Sequence, residues 1–277
     1  MCLTNIKVLF DIISMSKDFK KLKMKKWEVA LNKFVNRYLD EPWFEGALLC
    51  GSYSTGNQNK FSDIDVVIVA SDNIGWREKS NCYVDGFLVE YTINPIYKLQ
   101  EYMDRGLKNH HLIDQNMFAY GVVLHDKNGM MKKLRQRSIR DLNKKLKPFS
   151  KYSNDFKKYG LWCRYDDMLS LKHDGHHIDL LYWTLVDKLI DAYYDFKCLP
   201  HVSHAKIQKI LTNEKFADRY HAIQLPDKKF TELLMSCFNA KQKDKIEAID
   251  KFYHHVINAG GGFDIGKFRG REKIDNK

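Results

Sequence analysis

The sequence lacks paired-cysteine motifs, long apolar runs and internal repeats. Its six cysteines form no Cys-x-x-Cys pair, which argues against a zinc knuckle or a dithiol redox motif. No stretch reaches the roughly eighteen apolar residues of a membrane span, and residues 1–15 lack the basic start and cleavage site of a signal peptide. The histidine clusters have no Glu or Cys at zinc-ligand spacing. These absences predict a cytoplasmic protein with reduced thiols.

A second absence concerns the C-terminal segment GGGFDIGKFRG, residues 260–270. It lacks the preceding strand and following helix of a dinucleotide-binding motif. We therefore predict a flexible tail there.

The chain has 277 residues, 44% apolar and 29% charged, which is enough for two modest globular domains. Strand and helix patterns alternate up to Gly129, and only helical patterns follow it. We predict an α+β fold in which a small mixed-sheet domain, residues 24–128, precedes an all-helical bundle domain, residues 129–277. Residues 1–23 are predicted to be an extension, partly helical or disordered.

The charge is strongly basic, with a formal net charge of +11. Residues 132–158 hold eleven Lys or Arg against two Asp, and residues 17–26 hold six Lys against one Asp. Such a cluster is a solvated helix face, a guide for an anionic substrate, or a surface that binds nucleic acid such as RNA. The sequence leaves the three alternatives open.

Two apolar runs joined by small residues form the segment ALLCGSYSTGNQNKFSDIDVVIVA, residues 47–70. Because side chains at i and i+2 of a strand share a face, the strand predicted at 63–70 projects Asp63 and Asp65 together. Two like charges about 5–7 Å apart repel each other unless a cation lies between them. Mg²⁺ prefers such oxygen ligands, so the pair is predicted to bind metal. The alternative is an edge strand with solvated aspartates.

Gly51 and Ser52 end the first apolar run and begin a loop predicted at 51–62. A glycine lets backbone N–H groups approach a phosphate, and a serine hydroxyl can donate to one. We predict that Gly51 and Ser52 bind nucleotide phosphates and that Ser62 assists. Ordinary loop chemistry is the alternative.

The apolar strand, Gly-Ser, a ten-residue spacer and Asp-Ile-Asp together resemble the signature of the polymerase-β-type nucleotidyltransferase superfamily. The resemblance covers residues 45–125. It implies transfer of an NMP from an NTP, assisted by two Mg²⁺ ions held on Asp63, Asp65 and a third carboxylate from a later strand.

Glu90 fits the third position, because it follows the Asp85-Gly86 hairpin turn on an alternating strand. The resemblance implies that Glu90 is a metal ligand or a general base. The order of turn, strand, acid and helix is similar to that of aminoglycoside- and lincosamide-type antibiotic nucleotidyltransferases. Asp85 is the competing acid, with a structural role in the turn.

The superfamily tends to supply a further cation from its helical domain. LPHVSHAKIQKI, residues 199–210, faintly resembles the Pro-x-x-x-Lys segment of that domain, and Lys206 near its predicted helix start is a candidate nucleotide ligand. A solvated lysine is the alternative. Asp179, Asp187 and Asp191 share a helix face and would suit a polycationic acceptor if they face the cleft.

The resemblance implies a Mg²⁺-dependent enzyme that transfers an NMP, with ATP as the favoured donor, to a hydroxyl of a small molecule such as an aminoglycoside-like antibiotic. Transfer to RNA or protein is a second interpretation, which residues 132–158 favour. A third is an inactive module that binds nucleotide or nucleic acid. The acceptor and the oligomeric state stay undefined by the sequence.

Overall fold

The computed structural model describes residues 25–222 and 227–271. In these residues the strands are β1 (Phe44–Cys50), β2 (Ile64–Ala70), β3 (Glu78–Val84), β4 (Phe87–Pro95) and β5 (Val122–Asp126). They form one mixed sheet in the order β3-β4-β2-β1-β5. The predicted α+β fold is confirmed, whereas the predicted extension at 1–23 lies outside the described residues.

Helices cover both faces of this sheet. They are α1 (Lys26–Val35), the short α2 (Gly51–Thr55), α3 (Ile96–Asn109), α4 (Ile113–Tyr120) and α5 (Met130–Leu142). Phe34 of α1 packs on one face, while Leu99, Phe118 and Leu134 from α3, α4 and α5 pack on the other. Because both faces are covered, β2 is apolar along most of its length, and Asp65 stands out as its polar residue.

The strand pairing places Asp65 beside Glu90. β1 and β2 are antiparallel, whereas β2 and β4 are parallel, with Asp65 opposite Glu90. The turn between β3 and β4 has positive φ at Asp85 and Gly86, 48° and 83°, as a two-residue type I′ hairpin requires. The predicted Asp-Gly turn is therefore observed.

Two boundaries around the hairpin were predicted wrongly. β2 begins at Ile64, so Asp63 lies at the entrance to the strand. The reason is that β1 ends at Cys50, which pairs with Asp65 and leaves Asp63 without a strand partner. The predicted loop after β1 instead begins with the helical turn α2.

The start of α3 is unusual for its sequence, because Asn followed by Pro favours a helix with Asn at the cap and Pro in the first turn. β4 continues through Pro95, and Pro95 itself is the N-cap. The Asp72 carboxylate accepts a hydrogen bond from the Tyr97 N–H at 2.8 Å. A side chain from another segment therefore accepts a hydrogen bond from one of the N–H groups that have no partner within the helix. The Asn94 side chain is not needed for this purpose.

The chain after α5 is helical. The helices are α6 (Lys151–His173), α7 (Asp179–Phe196), α8 (His204–Thr212), α9 (Glu214–Arg219), α10 (Lys228–Asn239) and α11 (Lys245–Ala259), with a 3₁₀ turn at Ile265–Lys267. Their common core surrounds α7, whose Tyr182, Leu189 and Tyr193 are buried. In the described residues no helix is long and apolar enough to cross a membrane. The domain boundary near residue 129 stays a prediction.

Two features of this region were not predicted. The first is α9, which begins where the Asn213 side chain accepts a hydrogen bond from the Phe216 N–H at 3.0 Å. The second is the C-terminal segment, which packs on α6. Its Gly262 carbonyl accepts a hydrogen bond from Lys158 at 3.2 Å, and the Phe268 ring stacks on Tyr159 with centroids 4.6 Å apart. The flexible tail predicted there is wrong.

Candidate active site

Three carboxylates meet where β2 begins. Asp63 precedes the strand, Asp65 is its second residue, and Glu90 lies beside Asp65 on β4. Ligand oxygen atoms of the three side chains lie within 4.8 Å of one another. Across residues 25–222 and 227–271 this is the one His, Cys, Asp and Glu group with such spacing. The structure therefore brings together the three acids that the sequence pattern indicates.

The acids form a site with excess negative charge. Burial, together with the charges of Asp63 and Glu90, raises the pKa of Asp65 to about 6. Lys206 and Lys79 act in the opposite direction and lower this pKa. Lys79 forms an ion pair with Glu90, with Nζ and Oε1 2.8 Å apart. Even with Lys79 paired to Glu90, the three carboxylates carry more negative charge than the lysine balances. Such a group favours a divalent cation with a preference for oxygen ligands.

Gly51 lies directly over the Asp65 carboxylate. Its φ is +68°, and a Cβ at this position would lie 1.7 Å from Oδ2 of Asp65. Both the left-handed conformation and the missing side chain are therefore needed. The Ser54 and Thr55 hydroxyls donate to the Gly51 carbonyl at 2.9 and 3.2 Å, which holds the turn α2 in place.

A cleft of about 390 Å³ opens beside Asp65, between the sheet and the helical region. Its walls come from the end of β1 and from α2, α4, α8 and the segment after α9. Lys206 of α8 lines the cleft, with Nζ 4.4 Å from the centroid of the Tyr220 ring. Tyr120 and His221 also line the cleft and stack with centroids 3.7 Å apart. The cleft is thus lined by both charged and aromatic side chains.

The predicted phosphate ligands divide into two groups. Of those that the structure describes, Gly51 and Lys206 line the cleft, whereas Ser52 and Ser62 are not among its lining residues. The Ser62 hydroxyl accepts a hydrogen bond from the Asn59 N–H at 2.9 Å and so holds the loop before β2.

A row of alternating carboxylates and imidazoles joins α7 to the start of α8, which carries Lys206. This Asp–His row consists of Asp187, His204, Asp191, His201 and Asp195. His204 Nε2 lies 3.0 Å from Asp191. His201 lies 3.2 Å from Asp191 and 2.8 Å from Asp195. The row ties α8 to α7 just before Lys206.

The histidines of the row carry raised pKa values. Burial acts to lower the pKa of His201, but hydrogen bonds with Asp191 and Asp195 outweigh it and raise the pKa to about 9. The hydrogen bond with Asp191 raises the pKa of His204 as well. The His201 imidazole is therefore protonated at neutral pH, and the acids of the row favour the protonated form of His204.

The acids proposed for a polycationic acceptor are engaged elsewhere. Asp187 and Asp191 belong to the Asp–His row, and Asp179 pairs with Lys245. The spacing of these acids on α7 is visible in the sequence, but the pairing with histidines opposite them is not. Tyr120 and His221 were also missed, because nothing local in the sequence connects two residues so far apart.

Comparison with known proteins assigns the reaction class. Residues 31–114 match the model of the family described as nucleotidyltransferase domain, a range that contains Gly51, Asp63, Asp65 and Glu90. The chain thus carries a nucleotidyltransferase domain, and its enzyme activity is nucleotidyl transfer. This class implies an NTP substrate and a divalent metal ion, with which the acidic cluster is consistent. The match supports the predicted polymerase-β-type superfamily.

One similar solved structure is that of a nucleotidyltransferase-like protein from Exiguobacterium sibiricum 255-15. The two chains are 15% identical, the alignment covers 85% of this chain and 77% of that chain, and the TM-score is 0.43. So distant a likeness bears on neither mechanism nor substrate. A search of curated proteins finds no match. The resemblance to antibiotic-modifying enzymes stays a prediction.

Proposed function

We propose that the protein transfers AMP from ATP to a hydroxyl of a small molecule, with two Mg²⁺ ions, and that an aminoglycoside-like antibiotic is one such acceptor. The observation that carries this proposal is the group of three carboxylates, with oxygen atoms within 4.8 Å of one another, of which Asp65 lines the cleft. The cleft volume of about 390 Å³ lies in the range of small-ligand sites.

Asp63, Asp65 and Glu90 fit a divalent metal. They offer hard oxygen donors, and the raised pKa of Asp65 reflects its burial and then the negative charges of Asp63 and Glu90, which a cation would compensate. When bound, the metal supplies activation of the acceptor hydroxyl and neutralises charge on the triphosphate.

The other residues of the cleft have separate roles in the proposal. Gly51 lines the cleft beside Asp65, where its backbone can approach phosphate oxygen atoms, and Ser52 and Ser62 are close to it in sequence and are proposed to donate hydrogen bonds. The Lys206 ammonium stabilises charge that develops on the departing pyrophosphate. The Glu90 carboxylate accepts the proton of the acceptor hydroxyl.

The basic segment 132–158 gives limited support to RNA as an alternative acceptor. Part of its charge is used inside the protein: Arg135 donates to the Phe118 carbonyl at 3.2 Å, and Arg137 pairs with Asp104 at 2.6 Å. The cations that are exposed and make no ion pair in the described part of the chain are Lys132, Lys133, Arg140, Lys145, Lys147 and Lys151. If they bind RNA, the affinity will fall steeply as salt rises.

The test is to follow the label of α-labelled ATP in the presence of Mg²⁺ and panels of aminoglycosides, RNA and proteins. We expect label on a small hydroxylated acceptor and none with the Asp63→Asn variant. Replacement of ATP by the other α-labelled NTPs tests the donor. If the wild-type protein labels nothing, and Asp63→Asn binds nucleotide as the wild type does, the proposed enzyme function is wrong.

A further inference from the structure

We propose that Arg219, Tyr220 and His221, at the end of α9, form a clasp that closes across the nucleotide cleft and holds it in the arrangement that binds an NTP. The inference rests on the proposed placement of ATP in this cleft and is independent of the acceptor. It adds three positioning residues to the nucleotidyl transfer reaction.

The clasp contacts the sheet region at two separate places. Arg219 donates hydrogen bonds to the Gly56 carbonyl and to the Asn57 side chain, each at 3.4 Å. Gly56 caps the end of the short helix α2, which is the proposed phosphate turn. His221 stacks on Tyr120 at the end of α4, with ring centroids 3.7 Å apart. Two neighbouring residues of the clasp thus reach two different walls of the cleft.

The clasp also contacts Lys206. The Lys206 ammonium lies over the Tyr220 ring, with Nζ 4.4 Å from the centroid. Asn213 alone separates α8, which carries Lys206, from α9, and it caps the end of one helix and the start of the other. A displacement of the clasp therefore changes the surroundings of the ammonium group that is proposed to bind the triphosphate.

The backbone at His221 is one that glycine adopts at lower cost. The His221 amide donates to the Asp218 carbonyl at 3.0 Å. The Ala222 amide donates to the Ala217 carbonyl, also at 3.0 Å, and the two bonds make a Schellman motif at the end of α9. His221 occupies its left-handed position, with a φ of 52°, where glycine is usual because it has no Cβ. What histidine adds there is a ring that lines the cleft and stacks on Tyr120.

The contacts described between the clasp and the sheet region are individually weak. The hydrogen bonds of Arg219 are long and exposed to solvent, and the contact of His221 is a single ring stack. Such contacts stabilise a closed form only slightly. Because Tyr220 and His221 line the cleft, a nucleotide bound there contacts the clasp in the closed form. Binding therefore shifts the clasp towards closure.

The first experiment measures the affinity of the full chain for a non-hydrolysable ATP analogue with Mg²⁺ by calorimetry. His221→Gly removes the ring but suits the left-handed turn. We expect its affinity to be about fivefold lower than that of the wild type, with no fall in the midpoint of denaturant unfolding. His221→Phe keeps a ring for Tyr120 and should bind within about twofold of the wild type.

Cys198→Gly is the matched control. Cys198 also has a φ of 52°, and its amide donates to the Asp195 carbonyl at 3.1 Å. The next amide, of Leu199, donates to the Tyr194 carbonyl at 2.8 Å, so the same motif ends α7. Cys198 is not among the described residues that line the cleft. Glycine there changes the same backbone position outside the cleft, and the affinity for the ATP analogue should not change.

The second experiment measures closure itself. Hydrogen exchange of residues 214–222 is followed by mass spectrometry with and without the ATP analogue and Mg²⁺. We expect the nucleotide to slow exchange of this segment about fivefold or more in the wild type, and to slow it less in His221→Gly. Helix α10, which contributes no residue to the described lining of the cleft, is the internal reference.

Three affinity results would overturn the inference: His221→Gly binds as the wild type does, Cys198→Gly loses as much affinity as His221→Gly, or His221→Phe fails to restore binding. Exchange in residues 214–222 that does not respond to the nucleotide would overturn it as well. All of these results leave the proposed function standing. A wild-type protein that does not bind the ATP analogue would instead overturn the proposed function and this inference together.

Discussion

The two halves of the site are held in place by different means. Asp65 and Glu90 belong to adjacent strands, so backbone hydrogen bonds of the sheet set their separation. Lys206 stands on α8, whose position depends on side-chain pairs between Asp and His residues. A sheet register thus fixes catalytic groups through the main chain, whereas a helical region needs charged side chains to do so. Substitutions can test this contrast.

The largest effect is expected at Glu90. Glu90→Gln should lower the transfer rate on the order of 10³-fold, because it removes one of three oxygen donors of a metal site and the proposed base. The measurement is kcat for label transfer from ATP. Asp85→Asn is the control: it changes the other acid of the same hairpin, which pairs with Lys33 at 2.6 Å, and should leave kcat within about twofold. Equal losses in both variants would contradict the assignment of Glu90.

Gly51→Ala should have the next largest effect, a loss on the order of 10²-fold in kcat/KM, because its Cβ has no space beside Asp65. Gly56→Ala is a close control. Gly56 has a φ of +70°, and a Cβ added there would meet no atom within 4 Å. Both variants should lose about 1 kcal/mol of unfolding free energy through the strained φ. If Gly56→Ala is equally inactive, the backbone and not the clash with Asp65 explains the loss.

Lys206→Gln addresses the helical half of the comparison. We expect a rise of about tenfold in the KM for ATP, as for loss of a charged hydrogen bond to phosphate. Lys209→Gln is the matched control, since Lys209 is on the same helix with Nζ 5.7 Å from the centroid of Phe216. The KM for ATP of each variant is measured by steady-state kinetics at varied ATP concentration. Equal KM values in both variants would show that Lys206 does not contact the triphosphate.

The smallest effect is a pH dependence of stability from the Asp–His row. The pKa of His201 rises from 6.5 to about 9 on folding. The contribution of His201 to the free energy of unfolding is therefore complete below about pH 6.5. It is lost as the pH rises through about 9. Solvent screening at Asp191, the partly exposed partner of His201, reduces the effect to about 1–2 kcal/mol. Denaturant unfolding at pH 7 and 9.5 measures it.

The variants for this measurement are His201→Gln and His254→Gln. His201→Gln should remove the alkaline loss of stability, whereas His254→Gln, an exposed histidine on α11, should retain it. If His201→Gln shows the wild-type dependence, the row does not stabilise the junction of α7 and α8.

The sheet half was predicted well from the sequence because its determinants are local. Alternating strands, the Asp-Gly turn and the Asp-Ile-Asp spacing lie within short segments, and the α+β fold follows from them. The short helix α2 escaped prediction because GSYST has neither apolar periodicity nor a strong helix former. The parallel pairing of β2 with β4 is a long-range property, so the sequence could suggest Glu90 as third acid without fixing its position.

The helical half was less predictable for a physical reason. Helix periodicity identifies α7 and α8 but does not say which faces meet. The sequence therefore showed only that the histidine clusters lack zinc-ligand spacing, and not that His201 and His204 pair with acids of α7. The roles of all the site residues stay predictions for the experiments above.

The ion pair between Lys79 and Glu90 has a consequence for ion selectivity. An exposed pair of this kind contributes about 1 kcal/mol or less, so an incoming cation displaces the lysine at little cost. A monovalent ion would only replace one unit of positive charge that Lys79 already provides. A divalent ion adds a second unit among the three carboxylates. The lysine thus makes the site favour a divalent ion over a monovalent one.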